Sequence, residues 1–131
     1  MSMDPKIKAA WVADLRNPEN KQTDGVLKRK NEWDDNFSYC CLGRLYEVCR
    51  NEFGMDIDVS EVDESDYYNY SYDGGDSDYE LPDDDFMRAI GIPVREPYVL
   101  DEDGNLVSLV TMNDNGHSFT EIADLIEKSD L

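Results

Sequence analysis

Histidine is nearly absent from this 131-residue chain, and His117 is the only one. A Ser-His-Asp or Cys-His arrangement would have to be built around that residue, and a zinc centre would have to join helical thiols to one distant imidazole. Cysteine is scarce too: Cys40, Cys41 and Cys49 fall in one apolar segment. Residues 40 and 41 would point to different sides of a helix, and 41 and 49 would lie roughly 12 Å apart along it, so no internal disulfide is geometrically easy. Reduced, buried thiols in a cytosolic protein are the expectation. No glycine-rich loop of the phosphate-cradling kind is present. The opening "MSMDPKIKAAW" lacks the apolar core of a signal peptide, and no apolar run approaches membrane length. Cations are few as well. Twelve Lys and Arg stand against 31 Asp and Glu, giving a net charge of −19 and a pI near 4.1. Nucleic acid and anionic membranes carry the same sign and are poor direct partners, whereas a cationic protein surface is the natural complement.

What is present reads as one domain over residues 1–131, long enough to bury roughly two-thirds of its unfolded surface. Asp4-Pro5 ahead of Ile7, Ala10, Trp11 and Leu15 is a capped helix start, and the helix should end before Asn17-Pro18. "KQTDGVLK" suggests a short strand around an Asp-Gly turn, with Lys28-Arg29-Lys30 as a solvated basic patch. Between Phe37 and Phe53 the apolar stripe is wide enough for a central buried helix, which Gly54 would end. "LPDDDFMRAIGIP" reads as a short helix with acids in its first turn, stopping at Gly91 and Pro93. "YVLDEDGNLVSL" reads as a hairpin around Glu102 to Asn105, with Leu100 facing Val107 and Tyr98 facing Leu109. Last, Ser118 and Glu121 form a capping box for a helix whose inward face is Phe119, Ile122, Ala123 and Ile126. His117, just before the cap, would pack on Ile122 as a staple. The fold class is α+β: three to four helices packed on a small antiparallel sheet built from hairpins.

From Gly54 to Met87 there is no Lys or Arg, while Asp56 to Asp85 contains thirteen acids. Within it, "SDYYNYSYDGGDSDYELP" (Ser65 to Pro82) holds five of the eight tyrosines. A solvated, unfolded segment would explain the charge but not the aromatics. A two-residue turn at Gly74-Gly75 would oppose Tyr72 to Ser77, Tyr70 to Tyr79 and Tyr68 to Leu81. Large side chains then fall on one face, and Asn69, Ser71, Asp73, Asp76, Asp78 and Glu80 on the other. Three readings remain open for about 56–85: a hairpin, a flexible loop, or a metal loop. The last is disfavoured, because neither "DGGDSDYE" nor "DEDGN" has the ligand spacing of an EF-hand.

Fully extended, thirty residues would place thirteen charges only about every 8 Å, against one per ~1.7 Å of B-DNA axis. Imitation of nucleic acid therefore requires the segment to fold back on the domain, beside Asp34, Asp35 and Asp101 to Asp103.

Four stretches carry a resemblance. "FSYCCLGRLYEVC" resembles the "FCCLGVLCDL" segment of small uncharacterised proteins encoded by tailed phages and prophages. "LVTMNDNGHSFTEIADLIE" is similar to their ending, "LPDDDFMRAIGIP" to their Leu-Pro…Gly-Leu segment, and "WVADLRNPENKQTDGVL" to their opening. The resemblance implies phage or prophage origin and a shared small α+β fold, but no activity. The matching residues, Cys40 to Gly43 and Asn113 to Glu121, read as fold residues, with Gly43 allowing close packing. The chain departs from the pattern in the acidic tyrosine segment and at Arg44, where the pattern has an apolar residue.

The expectation is a non-enzymatic phage accessory protein without a cofactor, monomeric or homodimeric, in the cytoplasm of an infected bacterial cell. It would inhibit a host nucleic-acid-processing protein through an acidic, DNA-mimicking surface. Asp63, Glu64, Asp66, Tyr67, Tyr70, Asp73, Asp76, Asp78, Glu80, Asp83, Asp84 and Asp85 are the candidate contacts. The alternative is a small-molecule or metal-binding domain with its pocket at the Asn113 to His117 turn, the acids serving solubility only.

Overall fold

The computed structural model describes residues 3–31, 36–62, 65–72, 75–77, 81–92 and 94–131. Five helices are described: α1 (Pro5–Leu15), α2 (Cys41–Glu52), α3 (Asp84–Ala89), α4 (Leu109–Asp114) and α5 (Phe119–Lys128). The strands are β1 (Lys28–Lys30), β2 (Phe37–Tyr39), β3 (Ile57–Glu61), β4 (Tyr67–Tyr72), β5 (Gly75–Asp76), β6 (Tyr98–Leu100) and β7 (Leu106–Ser108). The main sheet is antiparallel, in the order β2-β1-β4-β3, with β5 pairing on β4; β6 and β7 form a separate hairpin. The α+β expectation holds, with more helices than the three to four anticipated.

Helix α2 lies at the centre. Cys41, Leu42, Leu45, Tyr46, Val48 and Cys49 are buried, as are Gly43 and Glu47. The helix begins later than the apolar pattern suggests, because Phe37 to Tyr39 pair with β1 as a strand. Cys40 is the N-cap, and its Sγ accepts from the Gly43 N–H at 3.4 Å. All three cysteines are free and buried. The helix end coincides with Gly54, at φ 63°. Gly43 faces the backbone of the connector leading into β1: a Cβ there would sit 1.8 Å from the Leu27 carbonyl oxygen. Only glycine permits that approach.

Helix α1 closes over α2, and α5 packs on α1. Asp4 caps α1 by accepting from the Lys6 N–H, and Pro5 occupies the first turn. Ile7, Trp11, Val12 and Leu15 face inward, and Trp11 Nε1 donates to the Cys41 carbonyl at 2.9 Å. Arg44, the departure from the apolar pattern, forks onto Asp14 of α1 at 2.7 and 2.8 Å with its guanidinium 4.6 Å above the Tyr39 ring. A bidentate pair largely shielded from water gives a specific α1–α2 contact that an aliphatic side chain cannot. At the C-terminal end, the Ser118–Glu121 capping box forms as the spacing requires, and Phe119, Ile122, Ala123 and Ile126 are buried. His117 differs: it is exposed, with Nδ1 3.3 Å from Glu121 Oε2, so it makes no staple.

Residues of the motif-like stretches meet in space. Asn113 is buried; its Oδ1 accepts from the Cys41 N–H (3.2 Å) and Gln22 Nε2 (3.0 Å), while its Nδ2 donates to the Thr23 carbonyl (2.7 Å). The neighbouring Asp114 accepts from the Gly25 N–H at 2.8 Å, where Gly25 turns the chain at φ 74°. The end of α4 thus holds both the Asp24-Gly25 turn and the start of α2.

The β6–β7 hairpin pairs one residue away from the expected register. Tyr98 pairs with Ser108, Val99 with Val107 and Leu100 with Leu106. Asp101 Oδ1 accepts from the N–H groups of Asp103 and Asn105, and Gly104 takes φ 82°, which fixes a loop one residue tighter. A one-residue slip exchanges the faces. Val99 therefore goes inward, and Tyr98 and Leu100 go out. Leu109 is not a strand residue at all: Ser108 caps α4, which carries Leu109 into the core.

Gly43→Ala should drive its methyl into backbone that has no freedom to yield, with a loss of about 3 kcal/mol or more. Urea denaturation would measure it; a loss under ~1 kcal/mol would show that the α2–Leu27 approach is loose.

Candidate functional site: the acidic face of the sheet and the aromatic layer beneath it

The tyrosine segment is not an independent hairpin. Its strand β4 lies inside the main sheet, with β3 along one edge and β1 and then β5 along the other. Ile57 pairs with Tyr72, Val59 with Tyr70 and Glu61 with Tyr68. Across the return, Tyr72 pairs with Gly75 and Ser71 with Asp76, so the turn falls on 73–74 rather than on Gly74-Gly75. Tyr70 exchanges bonds with Ser77: the Ser77 N–H donates to the Tyr70 carbonyl, and the Tyr70 N–H to Ser77 Oγ. This is two residues from the expected Tyr70–Tyr79 pairing. A shift of two keeps Ser77 on the same face as Tyr70 and Tyr72, as expected. The pairings drawn to Tyr79, Asp78 and Glu80 lie outside the described residues, and Leu81 lies in no strand.

On the inner face Tyr70 is fully buried and stacks on Tyr46 of α2 at 4.4 Å and 1°. Tyr46 stacks in turn on Phe86 of α3 at 3.9 Å and 17°, and Tyr72 meets Phe86 edge-on at 6.1 Å. Each phenol has a carboxylate partner. Tyr70 Oη donates to Glu47 Oε2 at 2.8 Å. Tyr46 Oη donates to Asp83 Oδ1 and accepts the Asp83 N–H at 3.0 Å, while Asp83 Oδ2 caps α3 through the Phe86 N–H. Burial first, and these carboxylates second, push both phenols well above their ordinary range. Burial likewise pushes the thiol of Cys40 up to about 11 and that of Cys49 to about 12, and raises Cys41 and Tyr39.

Lys28 corrects the expectation of a solvated basic patch. It is buried, with Nζ 4.2 Å above the Phe37 ring, 5.2 Å from that of Tyr68 and 5.6 Å from that of Tyr39, and 3.9 Å from Glu47 Oε2. Desolvation lowers its pKa, and Glu47 opposes the shift. Arg29, the next residue, lies with its guanidinium 5.2 Å from the Tyr67 ring. Nothing in the sequence of a Lys-Arg-Lys run marks these two as partners of aromatic rings; the rings arrive from β2 and β4.

The outer face is polar. Asp58, Ser71 and Asp76 occupy one rung across β3, β4 and β5, and Ser60 and Asn69 the next. Asp58 and Ser60 are exposed, as are Asp56, Glu61, Asp66, Asp84 and Asp85. Of these acids, Asp85 pairs with Arg88 at 2.9 Å. Among the described residues, no Lys or Arg stands within ion-pair distance of Asp56, Asp58, Glu61, Asp66 or Asp84.

The twelve candidate contacts therefore divide. Asp66, Asp84 and Asp85 are exposed, and Tyr67 is half-buried against Arg29. Tyr70 and Asp83 are corrections. Both are buried in the aromatic layer and offer a partner nothing, because a fully desolvated phenol and an N-cap carboxylate are already committed to internal bonds. Asp76 has a strand position, and Asp63, Glu64, Asp73, Asp78 and Glu80 lie outside the described residues, as do Asp34 and Asp35. Beside the Asn113 to His117 turn there is an open cleft of about 260 Å³, lined by His117, Glu121, Met112 and the Asp101–Asp103 loop. Among the described residues no three His, Cys, Asp or Glu side chains gather as a metal site, and no helix is long and apolar enough to cross a membrane.

A family model described as Domain of unknown function (DUF8296) matches residues 3–130. No curated protein and no solved structure matches the chain.

Glu47→Gln should leave Lys28 as an uncompensated buried cation and lower stability by about 3 kcal/mol, while Lys28→Met with Glu47→Leu should recover most of that loss. Equal losses in the single and double variants, read by urea melts, would remove the ion pair from the account. The same layer sets the alkaline limit. Cys40, Cys41, Cys49, Tyr39, Tyr46 and Tyr70 have raised pKa values in the fold, so the unfolded chain ionises first. Their contribution is complete below the ordinary thiol and phenol values, near 8.5 and 10, and is lost as pH climbs from there towards the folded values. Each group removes up to about 1.4 kcal/mol per pH unit inside its own window. Lys28 acts with the opposite sign between its lowered pKa and its ordinary value, and is outnumbered. Thermal melts from pH 8 to 11 should fall steadily. A flat profile would contradict the burial of these groups.

Proposed function

This chain belongs to that family, and we propose that it is a phage or prophage accessory protein that binds and inhibits a host nucleic-acid-processing protein through its acidic sheet face. The partner is a protein with a cationic surface, and the acidic face competes for the site where that protein holds nucleic acid. The role needs no chemistry of its own, and the setting is the cytoplasm of the bacterial host. One observation carries the reading. The sheet turns Tyr70 and Tyr72 inward onto Tyr46 and Phe86, and leaves Asp58, Glu61, Asp66 and, on the adjoining helix, Asp84 exposed, with no Lys or Arg at ion-pair distance among the described residues.

A net charge of −19 repels itself in the compact state, so a surface of this kind is retained at a cost to folding that a cationic partner would reverse. Charge held on strands is also fixed in position, which an extended acidic tail cannot achieve. That is the condition for matching a groove shaped to a nucleic-acid backbone, and it gives fast, salt-sensitive association. The resemblance of the Cys40–Gly43 and Asn113–Glu121 stretches to phage proteins supports the setting. The net charge of −19 supports the sign of the partner.

The test is capture from bacterial lysate on the immobilised protein, at low and high salt, with identification by mass spectrometry. The comparison is a variant carrying Asp58→Asn, Glu61→Gln, Asp66→Asn, Asp84→Asn and Asp85→Asn. The wild type should retain a protein at low salt that excess duplex DNA or high salt releases, and the variant should lose it without losing thermal stability. Equal capture by a folded variant, or capture indifferent to duplex DNA, would overturn the proposal.

A further inference from the structure

A second surface has the opposite character. The β6–β7 hairpin turns Val99 and Val107 towards the core and presents the cross-strand pair Leu100 and Leu106, with Tyr98 beside them, to solvent. Leu106 is 66% exposed, Leu100 60%, Val94 48% and Tyr98 47%. These four, with Leu125 and Leu131, line one open cleft of about 790 Å³ between the hairpin and the end of α5. In a chain with so high a density of charge, a contiguous apolar surface of this kind marks an interaction site.

The rim decides what the cleft accepts. Asp101, Glu102 and Asp130 border it against a single cation, Lys128. A second copy of this chain would bring another net charge of −19 to that rim. An acidic or neutral apolar segment would gain nothing from the three carboxylates. The complementary occupant has apolar side chains to fill the cleft and Lys or Arg flanking them to meet the rim. Among the described residues no third strand pairs with the hairpin, and such an edge suits an extended segment that adds as a further strand.

We infer that the β6–β7 cleft is a docking site for an extended basic segment of a partner protein, with alternating apolar side chains seated on Tyr98, Leu100 and Leu106. The site is separate from the acidic sheet face and does not rest on the function proposed for it. An interaction through both surfaces would join electrostatic capture to an apolar anchor that salt does not weaken.

The experiment uses the full chain and two fluorescein-labelled synthetic octapeptides, one alternating leucine with lysine and one alternating leucine with glutamate, followed by fluorescence anisotropy at moderate salt. The lysine peptide should bind and the glutamate peptide should not. Leu100→Ser with Leu106→Ser should weaken binding of the lysine peptide at least tenfold. The variant neutralised at Asp58, Glu61, Asp66, Asp84 and Asp85 should retain it within about twofold. Since Leu100 and Leu106 are exposed, the double variant should keep the wild-type melting temperature. Loss of binding in the sheet variant alone would place the peptide on the acidic face and overturn the inference, as would equal binding of both peptides. Sedimentation showing a wild-type dimer that the Leu100→Ser, Leu106→Ser variant dissolves would also overturn it, by making a second copy the occupant.

Discussion

Helix α2 is buried along Cys41–Cys49 apart from the half-buried Arg44, and the rest of the molecule is arranged around what that demands. A helix in such a position meets its neighbours at backbone distance, so Gly43 is fixed by the Leu27 carbonyl it faces. The polar side chains within that stretch are largely cut off from water, so each needs an internal partner. Arg44 takes Asp14, Tyr46 takes Asp83, and Glu47 takes Tyr70 and Lys28. Those partners come from α1, the cap of α3, β4 and β1. The polar groups of one helix thereby select which elements surround it, a discrimination that apolar contacts alone do not make.

The same constraint explains how a segment so rich in acid remains folded. Tyr68, Tyr70 and Tyr72 give β4 one face able to enter a core, and Tyr46 and Phe86 receive it. Burial of these rings, at roughly 25 cal/mol for each Å² of apolar surface, offsets the repulsion among the charges turned outward. The aromatic rings thus come from β4, which has no acid of its own, and the exposed charge from the segments around it. The acidic face is held rigid by what lies beneath it, and the apolar cleft of β6–β7 lies on a different part of the surface. The molecule has one face suited to a cation and another suited to an apolar segment with cations beside it.

Where local chemistry decides the outcome, the sequence was legible. The Asp4-Pro5 start, the Ser118–Glu121 capping box, the acid-led helix before Gly91 and the glycine-ended α2 are each fixed by neighbours within a few residues. The stretches resembling phage proteins were read as fold residues, and Gln22, Gly25, Cys41, Asn113 and Asp114 do join in one hydrogen-bonded cluster. Registers were less legible. The β4–β5 register is set in a sheet where β4 also carries β3 on one edge and β1 on the other, and the β6–β7 slip follows from the Asp101 side chain bonding the loop backbone. Lys28 was misread because its aromatic surroundings come from strands distant in sequence.

By itself the sequence determined the sign and concentration of the charge, the class of the fold and the ends of its main helices, because these depend on composition and on contacts a turn or two apart. Only the tertiary structure decided which tyrosines and acids face water. Tyr70 went inside because β3 and β1 place its face on α2, Asp83 because Tyr46 bonds the cap of α3, and Leu100 and Leu106 came out because the hairpin register turns Val99 and Val107 to the core.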